Sequence, residues 1–241
     1  MKKTVVRPAW ACAFAWSLGA MLVGTLALAD GGSITGTIKL DGPAPTPKKV
    51  EISKDKEVCG LVPHFDESLV VGPNGGVQYA LVTIENAPKT PVSPANDVKF
   101  DQKGCTYVPH VLAFPAGSTV QVINSDGILH NIHTDSKVNP AVNFAQPKFK
   151  KVIQITVAKP ELFKVNCDAH GWMHGWWFVA DNPYYAVTDA NGNFTINNVP
   201  PGDYTIEVWQ EKLAPVGKEV SQKVSVKAGA PTTANVTLKQ G

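Results

Sequence analysis

Seven residues, Cys167-Asp168-Ala169-His170-Gly171-Trp172-Met173, set a thiol, an imidazole and a thioether at three-residue intervals. Soft sulfur donors favour Cu(I), and imidazole suits copper. With a second imidazole they make the trigonal His2Cys set with a long axial Met that defines a blue-copper site. Such a site withholds from Cu(II) the square geometry it prefers, so the ion changes charge with little rearrangement. Taken singly, a buried Cys is a small hydrophobe and a His in a turn is a solvated surface residue. Met173 is the only methionine after residue 29, and its place beside Cys167 and His170 reverses that reading. Zinc also takes Cys and His, but it gains little from a thioether.

The second imidazole must come from elsewhere. The segment Val122-Ile123-Asn124-Ser125-Asp126-Gly127-Ile128-Leu129-His130-Asn131-Ile132-His133 ends a strand in a polar turn and then presents His130. His133 is close enough in sequence to compete with it. His174, directly after Met173, is an alternative axial donor. His133 and His174 are also the residues left over for a second, weaker metal site. His64 and His110 each follow a proline and have no sulfur nearby, which reads as surface or structural histidine.

A strand followed by N-x-D and His130-Asn131, then C-x2-H-x2-M before a closing strand, resembles the cupredoxin family over roughly residues 99–181. The loop spacing is that of its amicyanin members, and the whole resembles plastocyanin-like domains. The resemblance implies a Greek-key β-barrel or sandwich that shuttles electrons. It also implies one copper per chain, with His130 and His170 as imidazole ligands, Cys167 as thiolate and Met173 as axial donor. Asn131 would bond near the Cys167 sulfur and tie the two ligand segments together. Gly171 stands where many members carry proline. By the same resemblance, the exposed edge of His170 would pass electrons, with Trp172 at the surface beside it.

The remaining chain is all-β in pattern. Alternating segments at 33–40, 78–85, 118–124, 152–157, 163–166, 176–180, 193–196, 204–209, 220–227 and 233–238 are separated by Gly, Pro, Asn and Asp clusters. Many short strands joined by turn residues mean a sandwich or barrel. Trp176 and Phe178 alternate, which predicts that both point into the core. The run Ala186 to Val208, with Asp189-Ala190-Asn191-Gly192-Asn193 and Val199-Pro200-Pro201-Gly202-Asp203, resembles the carboxypeptidase regulatory-like, or transthyretin-like, β-sandwich. The opening G-x-[VI]-x-G strand of that family matches Gly32-Ser33-Ile34-Thr35-Gly36, at the far end of the chain. The expected organisation is therefore a sandwich from 31–98 and 183–241, flanking an inserted copper domain at 99–182. The combination resembles methylamine-utilisation-type periplasmic proteins.

Lys2, Lys3 and Arg7, then an apolar stretch from Trp10 to Leu28 ending Ala27-Leu28-Ala29, read as a signal peptide over 1–29 cut before Asp30. The expected location is periplasmic, with no membrane span after cleavage. Removing three of the 22 basic residues leaves 19 against 20 acidic ones, a net of about −1, which argues against nucleic-acid binding. Export leaves three cysteines, Cys59, Cys105 and Cys167. An oxidising compartment makes Cys59–Cys105 the expected disulfide, two free thiols being the alternative. No catalytic arrangement stands beside the metal motif, and a small reductase would need a second metal centre. The expectation is therefore a carrier rather than an enzyme, exchanging single electrons with a redox partner such as a cytochrome or dehydrogenase. Copper binding or trafficking, or an accessory binding module, are the competing readings.

Overall fold

The computed structural model describes residues 1–2 and 31–240. The expected leader and its cleavage junction lie outside the described residues, apart from Met1 and Lys2. Along the chain run β1 (Gly32–Leu40), a single helical turn α1 (Lys56–Cys59), β2 (Val70–Val71), β3 (Val77–Gln78) and β4 (Leu81–Ile84). Then come β5 (Val98–Lys103), β6 (Thr106–Val108), β7 (Val111–Pro115), β8 (Thr119–Asn124), β9 (His130–Thr134), β10 (Asn143–Gln146), β11 (Val152–Thr156), β12 (Glu161–Asn166) and β13 (His174–Ala180). The last group is β14 (Tyr185–Val187), β15 (Asn193–Val199), β16 (Gly202–Trp209), β17 (Val220–Val226), β18 (Pro231–Thr233) and β19 (Val236–Leu238). No described helix is long and apolar enough to cross a membrane.

Two sandwiches result. In the middle one, a sheet ordered β10-β9-β12-β13-β7 faces a sheet ordered β11-β8-β5-β6. The chain passes back and forth between the two sheets, and both β5/β8 and β7/β13 pair in parallel, so strands distant in sequence lie side by side. That is Greek-key wiring. Phe100, Phe114, Val120, Val122, Ile132, Phe163 and Trp177 fill its core, and Trp177 meets Phe100, Phe114 and Phe163 ring to ring.

The other sandwich packs the sheet β15-β1-β18, with β19 also on β1, against β14-β4-β16-β17. Strand β1 pairs antiparallel with β15 and parallel with β18 and then β19. Gly36 sits where the neighbouring chain crosses. A Cβ there would lie 1.8 Å from the Ala234 carbonyl oxygen, so only glycine allows the approach. Ile34, Ile38, Phe194, Ile196, Ile206 and Val208 form one buried cluster in this sandwich.

The expected phase of β13 is corrected. Trp176 and Phe178 do share a face, but Trp177 and Val179 are the buried pair. A two-residue period fixes which side chains go together, not which face is the core. Trp176 and Phe178 instead cover Leu81, Val111 and Trp209 between the sandwiches, with Trp176 and Trp209 rings 5.0 Å apart.

The N-terminal segment is divided between the two. Residues 48–66 close on themselves through Val50 N–H to His64 O and Asp66 N–H to Lys48 O. They carry α1 to the middle sandwich, where Cys59 is fully buried and disulfide-bonded to Cys105. His64 and His110 are buried, not on the surface, at 7% and 2% exposure. His64 meets the Cys59 carbonyl at 2.7 Å, a structural role.

Candidate metal centre

The ligand loop is built from consecutive three-residue turns. His170 N–H donates to Cys167 O, and Met173 N–H donates to His170 O. Cys167 N–H then closes the loop on Met173 O at 3.1 Å. Residues 167, 170 and 173 are therefore turned toward one another, which is the physical content of the x2 spacing. The loop joins adjacent antiparallel strands β12 and β13, and β9 beside β12 brings His130 alongside. Tyr107 Oη donates to both Asn131 O (2.6 Å) and Asn166 O (3.0 Å), holding β9 and β12 together beneath the site.

His130, Cys167 and His170 converge, with ligand atoms all within 4.8 Å of one another and all three residues buried. The two Nδ1 atoms stand 3.0 Å apart, and Cys167 Sγ lies 3.7 Å from His170 Nδ1. Nitrogens about 2.0 Å and a sulfur about 2.3 Å from one ion, at angles of about 100–120°, would be separated by about 3.1 and 3.7 Å. The spacing thus fits a metal of ordinary bond lengths. Met173 is buried in the same core cluster, 2% exposed. Asn131 N–H donates to Cys167 Sγ at 3.4 Å, and its Oδ1 accepts from Asp168 N–H, so it ties the two segments.

Each imidazole is backed by a carboxylate that the sequence reading did not find. His130 Nε2 meets Asp126 Oδ2 at 2.9 Å, and His170 Nε2 meets Asp55 Oδ2 at 2.8 Å. An Nε2–H donated to a carboxylate leaves Nδ1 as the free donor atom and fixes the ring. Asp126 itself accepts from Gly104 N–H (2.6 Å) and Cys105 N–H (2.8 Å). Its position four residues before His130, within N-x-D, was a readable signal. Asp55 had none, being 115 residues from its partner and set beside α1 by the fold.

Burial alone would push the Cys167 thiol up, but hydrogen bonds with His130 and His170 and from Asn131 N–H outweigh it and bring it down to about 6. Burial would likewise lower His130, yet its bonds to Asp126 and Cys167 raise it to about 8. These contacts favour the thiolate, the form in which Cys167 could ligate a metal.

Two sequence competitors turn elsewhere. His133 is 38% exposed and pairs with Asp168 at 3.0 Å. His174 lies 3.3 Å from Glu211 and packs on His110. The expected exposed edge of His170 is corrected: the ring is fully buried. The 48–66 segment, clamped by the disulfide, lays Asp55 over Nε2, and the Trp172 ring packs 5.0 Å away. Trp172 is half-buried and donates Nε1–H to Cys105 O at 3.2 Å.

Residues 179–239 match the carboxypeptidase regulatory-like domain. The match covers β14 to β19 and leaves out β1 and β4, which complete the two sheets of that sandwich. No curated protein matches the chain. Among solved structures it is similar to a Cu-containing nitrite reductase (NirK) from Thermus scotoductus SA-01, at 25% identity over 38% of this chain and 25% of that one, TM-score 0.31. It is also similar to a purple cupredoxin from Nitrosopumilus maritimus, at 22% identity over 35% of this chain and all of that one, TM-score 0.30. Amicyanin from Paracoccus versutus (Thiobacillus versutus) gives 22% identity over 41% of this chain and 97% of that one, TM-score 0.32.

Proposed function

We propose that the chain is an exported one-electron carrier, not an enzyme, whose redox-active copper ion is held by His130, Cys167 and His170 with Met173 as axial donor. The observation that carries this reading is the buried convergence of two Nδ1 atoms and one Sγ, with a carboxylate on each outer nitrogen. Bound copper would supply the change between Cu(II) and Cu(I). The chain's own residues do the rest. Asp126 and Asp55 hold the rings, Asn131 N–H steadies the thiolate, and the surrounding apolar cluster excludes water, so the donors need not move when the charge changes. A redox protein such as a cytochrome or dehydrogenase would be the partner, reached over the Asp55–Trp172 face rather than a bare imidazole.

Mature protein loaded with Cu(II) should show an intense visible thiolate-to-copper band and a reversible one-electron couple. Cys167→Ser should abolish the colour. Met173→Leu should keep the copper and raise the potential. A colourless complex that holds Cu(I) tightly and exchanges it slowly would instead favour storage or trafficking.

A further inference from the structure

A second group of ligating side chains meets where the sandwiches join. His110 lies between β6 and β7, His174 opens β13, and Glu211 follows β16 in the other sandwich. Glu211 Oε2 is 3.0 Å from His110 Nε2, and its Oε1 is 3.3 Å from His174 Nε2. The rings stand edge to face, 5.2 Å apart, and the three ligand atoms lie within 4.8 Å of one another. Oxygen and nitrogen ligands about 2.0–2.2 Å from a common ion are separated by about 2.9–3.4 Å. His174 Nε2 is buried and makes no aligned hydrogen bond despite that proximity.

The carboxylate is held ready. Gln210 Nε2 donates to Ser68 O, while Lys212 and Leu213 N–H both donate to Gln210 Oε1, fixing the turn that carries Glu211. On one side the group opens into a cavity of about 670 Å³ that Glu67 also lines.

We propose that His110, His174 and Glu211 form a second metal site, for a borderline divalent cation of the Cu²⁺ or Zn²⁺ kind, bridging the two sandwiches. Two imidazoles and a carboxylate without sulfur suit such ions, with copper favoured over zinc in intrinsic affinity. The cavity side leaves a coordination position for water or a small ligand. Met173 and His174 are adjacent in sequence, so one peptide unit separates the proposed axial donor from this site.

The test does not depend on the blue-copper reading. A full chain carrying Cys167→Ser and His130→Ala should bind one Zn²⁺ by calorimetry. Adding Glu211→Gln or His110→Phe should weaken that binding about a hundredfold or more. Zinc binding that is absent, or unchanged by these substitutions, overturns the site and leaves a polar latch. Should those variants fold poorly, wild-type protein given excess Cu²⁺ decides the matter. A second, pale copper with a wide-hyperfine paramagnetic signal coupled to two imidazole nitrogens is expected. Excess Cu²⁺ that yields no such signal overturns it.

Discussion

At the scale of single residues, the carboxylates behind the imidazoles are as telling as the donors. Asp55→Asn keeps the size and a hydrogen-bond acceptor but removes the charge opposite His170 Nε2. Loss of such a partner costs about 10–100-fold in metal affinity. Copper retention against a competing chelator should fall by that factor with the fold intact, and Asp126→Asn should act in the same direction through His130. The convergence of His130, Cys167 and His170 was legible because Cys and His carry chemical identity and the x2 spacing reflects turns that close locally. Asp55 was not legible. Its role depends on where a disulfide and a four-residue helix deliver it, and nothing within reach of its own sequence encodes that.

At the scale of elements, Glu161 on β12 gathers the turn after β9. Its carboxylate accepts from Ser136 Oγ and from the backbone N–H groups of Lys137, Val138 and Asn139. Slight burial would raise its pKa, but these bonds hold it down to about 2. A depressed carboxyl stabilises the fold above its unfolded value of about 4.5, and that contribution is lost as pH falls toward 2. Glu161→Gln should therefore lower stability at pH 7 and flatten the acid limb of a pH-dependent melting curve. The strands invite a second contrast. Trp177→Ala removes a fully buried ring and should cost about 3–5 kcal/mol in denaturant unfolding. Trp176→Ala should cost less, because that ring is only half-buried between the sandwiches. Alternation along β13 showed that Trp176 and Phe178 belong together. It could not show that a second apolar surface awaited them, since a strand buried on both faces presents two candidate cores. Polar strands such as β9, reading His-Asn-Ile-His-Thr, escaped notice for a related reason: their side chains serve a site and its support, so period-2 hydrophobicity is missing.

At the scale of the whole molecule, one sandwich is assembled from both ends of the chain. Strand β1 contacts β15, β18 and β19, and β4 lies between β14 and β16. A fragment spanning 183–241 should fail to give a cooperative melt, whereas adding 31–98 in trans should restore one; an independently folded fragment would refute this dependence. The glycine motif near residue 32 was the readable sign of it, because Gly32 and Gly36 both sit where backbones come too close for a side chain. How the 48–66 segment reaches the middle sandwich was not readable, since the contacts that carry it there, Cys59 with Cys105 and Asp55 with His170, are with residues distant in sequence.

The Cys59–Cys105 bridge closes a loop of 46 residues, worth about 3–4 kcal/mol in the chain-entropy account. Its position matters more than that figure. One half-cystine ends the turn that presents Asp55, and the backbone of the other grips Asp126. If the chain carries copper as proposed, an unbridged chain would lack both clamps on the imidazoles and would hold the ion poorly. The proposed function then implies an order of maturation, the bridge before the ion. A Cys59→Ser/Cys105→Ser variant, which keeps Cys167 free, should accordingly take up Cu(II) more slowly and release it faster than the bridged protein, as stopped-flow absorbance would register.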